Sequence, residues 1–230
     1  MSAKLPREAE ERLDLAGHAF PVEGLGPGRR LAIWVRGCGI GCPGCMTPEL
    51  WDNGDAETHF AVSHVAEVLG LLLDSADGLT ISGGEPMDQP RALSALLRLL
   101  RRERDVEVLV YSGYSLEDLQ LRGGDTRELL EAVDLLIDRP FAHTAPNSRQ
   151  WRGSDNQRVH LLSQRAQKYA EVKDAPMPEQ RQLQLQILGA ARYRIIGIPK
   201  RGDLAAYRAA MQARGLAVRP DTPMEVKPPA

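Results

Sequence analysis

Cys38, Cys42 and Cys45 are the three cysteines of this chain, and they fall within Arg36-Gly37-Cys38-Gly39-Ile40-Gly41-Cys42-Pro43-Gly44-Cys45. Their spacing is C-x3-C-x2-C. A loop of this kind can wrap three thiolates around one corner of an iron–sulfur cluster. A [4Fe–4S] cube ordinarily takes four thiolates, so three leave one iron free for another ligand. Zinc is the competing reading, with His59 as a fourth ligand. Structural zinc sites usually pair C-x2-C units at two separated places, and no second pair exists here. A simple electron-carrying ferredoxin would want a fourth cysteine. So few cysteines, so close together, also make a poor disulfide framework and suit a reducing cytoplasm.

Further residues with chemical potential follow short apolar runs. Gly83-Gly84-Glu85-Pro86 comes directly after Leu79-Thr80-Ile81-Ser82. Glycines let backbone carbonyls approach closely, and an ammonium or sulfonium needs oxygen acceptors. Ser112-Gly113 ends Val106–Tyr111, and Asp138 ends Leu135-Leu136-Ile137. Taken singly, Gly-Gly-Glu-Pro is as readily a turn as a site, and Asp138 as readily caps a turn as binds a ligand.

The elements that must carry these residues alternate. Leu31–Val35 reads as a buried strand leading into the cysteine loop. A helix is expected over 59–73, where Val62, Val65, Ala66, Leu69, Leu72 and Leu73 recur at helical spacing. The clearest helix spans 89–104, with Pro90 near its start and Leu93, Leu96, Leu97 and Leu100 on one face. Arg98, Arg101, Arg102 and Arg104 read better as a solvated face than as a partner site. Short helices fit 115–121 and 125–132. Strand and helix in alternation imply a parallel sheet, whose ligands gather at the carboxyl ends of the strands. The cysteine loop, the Gly-Gly-Glu-Pro turn, the Ser-Gly turn and Asp138 all fall at those ends. Beyond 160 the rhythm weakens: 163–189 is polar, 193–198 reads as a strand, and 203–214 as a helix with Asp203 near its N-cap.

Composition excludes several classes. The 230 residues carry a net charge of −2, which argues against nucleic acid or a membrane surface as partner. Aromatics at 5% make a base-stacking platform a poor reading. No apolar run is long enough to span a bilayer, and the polar first ten residues do not resemble a signal peptide. A cytoplasmic protein is expected.

The cysteine pattern resembles that of the radical S-adenosylmethionine (SAM) superfamily. A narrower resemblance, over residues 13–160, is to the anaerobic ribonucleotide reductase activating proteins, a branch of the glycyl-radical-enzyme activases. Its carriers are Cys42-Pro43-Gly44-Cys45, Thr47-Pro48-Glu49-Leu50-Trp51-Asp52, Ser82-Gly83-Gly84-Glu85-Pro86, Tyr111-Ser112-Gly113-Tyr114-Ser115, Asp134–Phe141 and Trp151–Arg158. Gly44 stands where many superfamily members have an aromatic residue, as it does in that branch. The resemblance implies a [4Fe–4S] cluster held by Cys38, Cys42 and Cys45, with its fourth iron open to SAM. It implies reductive cleavage of SAM to a 5′-deoxyadenosyl radical that abstracts a hydrogen atom. Gly83, Gly84, Glu85 and Pro86 would contact the methionyl amine, and Ser112 and Gly113 the ribose or methionyl carboxylate. Asp138 would lie near the substrate peptide or the sugar. Trp51 would pack or shield the cluster, and Trp151–Arg158 would rim the site, grip a partner or form a salt-bridged surface loop.

The expected fold is α/β: an incomplete, TIM-like radical SAM barrel with a C-terminal α/β extension. The expected divisions are a tail (1–12), a core (13–160), an extension (161–218) and a Pro-rich tail (219–230). Members of the branch end soon after Trp-Arg-Gly-Ser, so the extension could complete the sheet, replace a partner surface or support another reaction. Expected partners are a glycyl radical enzyme, ribonucleotide reductase-like, and an electron donor such as flavodoxin or ferredoxin. The alternatives are direct action on a small molecule or peptide, and a non-catalytic iron–sulfur electron-transfer or sensor protein.

Overall fold

A computed structural model describes residues 10–179, 183–189 and 192–215. Seven strands make one sheet: β1 (Arg12–Val22), β2 (Arg30–Val35), β3 (His59–Ala61), β4 (Gly78–Gly83), β5 (Val108–Tyr111), β6 (Leu135–Asp138) and β7 (Arg158–Leu161). Their order across the sheet is β3-β1-β2-β4-β5-β6-β7. The central four, β2, β4, β5 and β6, are parallel. The flanks β1, β3 and β7 pair antiparallel. Helices α1 (Val62–Leu73), α2 (Pro90–Arg101), α3 (Leu116–Arg122) and α4 (Gly124–Glu131) lie between the parallel strands in sequence.

Side chains alternate across a strand, and both faces of the parallel centre are apolar, as burial on two sides demands. On one face Leu31, Ile33, Val35, Leu79, Ile81, Val108, Val110 and Leu136 pack with the helices. From α1 come Val65 and Leu69; from α2, Leu93, Leu96, Leu97 and Leu100; from α4, Leu129. Each such leucine contributes about 1.5–3 kcal/mol by leaving water. On the second face Ala32, Thr80, Leu109 and Leu135 stand side by side. Trp34, Ser82, Tyr111 and Ile137 form the row above them, nearer the carboxyl ends.

The arginines of α2 and its C-terminal turn are tied to acids of neighbouring elements. Arg98 meets Glu128, Arg101 meets Asp134, and Arg104 meets Asp74 and Glu103. They hold the helix layer together. At the amino-terminal ends of the strands Arg30 is fully buried. It donates to Glu107 at 2.8 Å, Thr80 at 3.1 Å and the Leu79 carbonyl at 2.8 Å. Tyr169 and Lys168 complete the Glu107 partners. A buried pair satisfied on every side plugs that end of the sheet.

The structure differs from the expected elements at α1, at β1 and β7, and it decides one alternative for the extension. α1 starts at Val62, because His59–Ala61 is extended and pairs with β1. β1 itself, entering at Arg12, was not expected, and neither was β7. Register shifts between Leu15 and Gly17 and between Ala19 and Val22 explain the former: a bulged strand loses its period of two. The extension does not complete the main sheet. β8 (Gln184–Gly189) and β9 (Arg192–Ile196) form a separate antiparallel hairpin, followed by α5 (Asp203–Gln212). The N-cap of α5 is Gly202, and Asp203, one position later, accepts the Lys200 N–H at 2.7 Å. The extension lies on the sheet's second face. Ala166 and Tyr169 pack with Leu109 and Leu135, and Ile196 with Ala32 and Trp34. The expected tail after 219, and all but the end of the N-terminal tail, lie outside the described residues. Among the described residues no helix is long and apolar enough to cross a membrane.

Candidate iron–sulfur centre

The cysteine loop leaves β2 and is pinned at its entry. Gly37 N–H donates to the Leu50 carbonyl and Cys38 N–H to the Trp51 carbonyl, both at 2.9 Å. Trp51 therefore serves the loop through its backbone. Gly44 lies at φ +72°, where a side chain is strained, and a Cβ there would sit 2.9 Å from His143 Cβ. An aromatic residue before the third cysteine does not fit this loop.

The Gly-Gly-Glu-Pro turn leaves the adjacent parallel strand, β4, and is zipped to the cysteine loop. Gly84 N–H meets the Val35 carbonyl and Glu85 N–H the Gly37 carbonyl, both at 2.8 Å. The backbones approach so closely that a Cβ on Gly84 would stand 2.8 Å from Gly37 C and 2.9 Å from Leu50 O. Pro86 and Met87 are buried in a 3₁₀ turn, Pro86–Asp88, with Pro86 at its start. Two residues that were not among the expected site residues, Thr47 and Asp88, add to the join. Thr47 Oγ1 donates to the Gly83 carbonyl at 3.3 Å, and Thr47 N–H points to Cys45 Sγ at 3.4 Å. Asp88 accepts from Gly39 N–H at 3.2 Å and from Tyr114 Oη at 3.0 Å. Their positions, two residues after Cys45 and three after Glu85, were the available signal.

Glu85 links the third strand end. It is 1% exposed and accepts from Met87 N–H (2.9 Å), Ser112 Oγ (2.8 Å) and Gly113 N–H (2.7 Å). Ser112 and Gly113, leaving β5, are thus held against the turn by this carboxylate, and the Ser112 hydroxyl is committed to it. Burial pushes the Glu85 carboxyl up to about 7, and the three donors only partly offset it. A carboxyl raised on folding contributes stability in full below its unfolded value of 4.5, and that stability is lost as pH rises through 7. In Glu85→Gln this slope is expected to vanish. The wild type minus variant difference in unfolding free energy should fall by up to roughly 3 kcal/mol between those limits, as measured by urea denaturation across pH. A parallel slope in both proteins would contradict it.

Asp138, at the end of β6, is wholly buried. It accepts from Leu116 N–H at the start of α3 (2.8 Å) and from Arg158 Nε (3.1 Å) and Nη2 (2.5 Å). His160 Nε2 lies 3.0 Å away. Burial opposes the charge, but Arg158, the Leu116 N–H and His160 hold the carboxyl below its ordinary value. Arg158 also grips Glu117 with two nitrogens, at 2.9 and 2.6 Å. Arg158→Leu is expected to destabilise the protein by about 3 kcal/mol, because it strands a buried carboxylate. The loss should shrink at low pH, once Asp138 is protonated. A denaturation midpoint unmoved at neutral pH would contradict this.

The rest of the Trp151–Arg158 loop braces residues 139–142. Asn156 donates to the Pro140 carbonyl, Gln157 to the Arg139 carbonyl, and Ser154 Oγ accepts the Ala142 N–H. The braced segment reaches the cysteines, where Phe141 donates a backbone hydrogen bond to Cys42. Cys38, Cys42 and Cys45 are all half-buried free thiols. Burial pushes the Cys38 and Cys42 thiols up; the charges of Glu85 and Cys45 raise Cys38 further, and those of Cys45 and Cys38 raise Cys42. A bound metal reverses that balance, since it takes thiolate ligands. Among the described residues no three His, Cys, Asp or Glu side chains converge tightly enough for a single metal ion. His59, the fourth ligand of the zinc reading, is hydrogen-bonded to the Asp55 carbonyl at 2.7 Å.

The family model described as "4Fe-4S single cluster domain" matches residues 24–160. The chain belongs to this 4Fe–4S single cluster family. A protein of Pasteurella multocida named anaerobic ribonucleoside-triphosphate reductase-activating protein is 35% identical over 149 residues, 60% of this chain and 91% of its own. Its namesake from Enterobacteria phage T4 is 32% identical over 138 residues, 58% of this chain and 85% of its own. A pyruvate formate-lyase-activating enzyme of Clostridium pasteurianum is 29% identical over 125 residues, 52% of this chain and 50% of its own. The matches to the first two relatives of this member of the 4Fe–4S single cluster family cover 60% and 58% of its chain, and the family model stops where β7 is about to end.

Proposed function

We propose that this protein is a radical SAM activating enzyme whose partner is a glycyl radical enzyme of the anaerobic ribonucleotide reductase kind. One observation carries the reading: the C-x3-C-x2-C loop and the Gly-Gly-Glu-Pro turn are joined at adjacent parallel strand ends, through Gly37, Thr47 and Glu85. In this reading Cys38, Cys42 and Cys45 hold the cluster. The Gly83 and Gly84 carbonyls accept the methionyl amine, each carbonyl having two lone pairs. Glu85 and Pro86 fix that turn, and Glu85 sets the Ser112–Gly113 backbone beside it for the ribose or methionyl carboxylate. Asp138 acts as a positioning group, through Arg158 and the start of α3. When bound, the reduced cluster and SAM together supply a 5′-deoxyadenosyl radical that takes a hydrogen atom from a glycine Cα. The chain's task is to orient SAM and to keep water out. The main sheet would be the wall of an incomplete barrel, working in the cytoplasm with flavodoxin or ferredoxin as electron source.

A second reading, direct action on a small molecule or peptide, draws on the extension that covers the sheet's second face. One experiment tests both. The anaerobically reconstituted protein is incubated with SAM and dithionite, with and without the candidate reductase. The first reading expects 5′-deoxyadenosine in both cases and a glycyl radical doublet in the electron paramagnetic resonance spectrum of the partner. Deoxyadenosine without that doublet would move the assignment to the second reading. No deoxyadenosine from a protein with an intact cluster would leave only an electron-transfer or sensor role.

A further inference from the structure

Arg194, on β9, carries a half-buried guanidinium. Arg30, Arg101, Arg104, Arg152 and Arg158 each hold a carboxylate within 3 Å. Its backbone pairs with Gln186 across the hairpin, but no hydrogen bond or ion pair joins its side chain to any described residue. It projects from β9 toward the sheet's second face, and its guanidinium carbon lies 4.9 Å from the centre of the Trp34 ring. Two residues along the same strand, Ile196 is buried among Ala19, Val22, Ala32, Trp34 and Leu50, which fixes β9 in place. Gly17 lines the site beside the guanidinium: a Cβ there would be in ordinary contact with Nη1 at 3.5 Å and Nη2 at 3.6 Å. The nitrogens are not sealed from solvent. Glu49 is the acid that Arg194 feels, and it stands beyond ion-pair distance. A second guanidinium, Arg36, donates to the Glu49 carbonyl.

We propose that Arg194, over the Trp34 ring and beside Gly17, is the recognition group of an anion subsite whose ligand is a carboxylate or phosphate. A guanidinium presents a planar fork of donors that matches two oxygens of such a group. The Trp34 face holds the fork in orientation at no cost in hydrogen bonds. Trp34 lies four residues before Cys38 on the strand that feeds the cysteine loop, so the subsite adjoins the reaction centre of the reading above, on which its functional meaning rests. The group would be an acidic substituent of the reacting substrate, or the methionyl carboxylate of SAM. β9 lies beyond the family model, so the subsite belongs to what this chain adds.

Inorganic phosphate is the probe, titrated calorimetrically into the full-length protein. The wild type is expected to bind it, and Arg194→Met to bind it at least about tenfold more weakly, with Arg194→Lys between them. Thermal melting reports whether each variant is folded. Equal affinity in the wild type and a folded Met variant, or no binding by the wild type, would overturn the proposal. Should the Met variant fail to fold, modification of wild-type arginines by phenylglyoxal decides: phosphate must slow the reaction at Arg194, and no protection there overturns the subsite. The titration needs neither cluster nor SAM, so its failure is distinct from failure of the radical reading. SAM affinity of the reconstituted Met variant then separates the two sources. A tenfold loss assigns the anion to SAM; an unchanged value assigns it to the substrate.

Discussion

Replacing any one of Cys38, Cys42 and Cys45 with Ala is expected to leave the protein folded but without its iron. The three thiols are half-buried and accept backbone N–H groups of the loop and of Phe141 and Thr47, while the entry of the loop is pinned by backbone bonds of Gly37 and Cys38 that need no cysteine side chain. Loss of one thiol should therefore cost the metal-free fold about 1 kcal/mol or less. For the cluster the loss is decisive, because a cube already short of one protein ligand would be left with two. Deoxyadenosine formation should fall roughly a thousandfold or more, equivalent to about 4 kcal/mol at 1.36 kcal/mol per decade. Iron analysis and the visible absorption of anaerobically reconstituted variants, beside their melting curves, check both halves. A variant with full iron and full turnover would remove that residue from the site.

The second large effect belongs to Gly84→Ala. The added methyl group would enter the space between the Gly37 carbonyl, 2.8 Å to its carbon, and the Leu50 oxygen at 2.9 Å. These are backbone atoms, which cannot swing aside as a flexible side chain can. Relief requires β4 and the cysteine loop to part, which breaks the hydrogen bonds from Gly84 N–H to Val35 and from Glu85 N–H to Gly37. Overpacking costs about 1–3 kcal/mol and each lost bond about 1 kcal/mol. Denaturant midpoints should report a total near 3 kcal/mol, together with loss of iron retention. Gly84→Ala with wild-type stability and SAM turnover would show that the two loops are not coupled as described.

The two loops were legible in the sequence because their chemistry is local. Three cysteines in eight residues and a Gly-Gly-Glu-Pro turn after an apolar run need no tertiary information. The parallel centre was legible too, since buried strands and the leucine face of α2 have clear periods. β1 was not, because its bulges shift the apolar positions from one face to the other. The roles of Thr47 and Asp88 depend on which strand lies beside which, and no spacing rule contains that. Glu85 and Asp138 show the same limit. Both were marked as site residues, but only the fold reveals that Glu85 reaches sideways to Ser112 and Gly113, and that Asp138 is enclosed by Arg158 and the start of α3. β9 was legible as the strand over 193–198, but its partner β8 escaped for a different reason. Gln184 and Gln186 turn inward to the Pro21 and His18 carbonyls, while Leu185 and Ile187 are 54% and 76% exposed. That inverts the usual sense of an alternating strand.

The most direct measurement of the central claim is electron paramagnetic resonance of the anaerobically reduced protein, with and without SAM, beside metal analysis. A cube held by three cysteines should hold about four irons and give a signal that changes when SAM takes the open iron. Zinc in place of iron, or a cluster signal indifferent to SAM, would contradict the account.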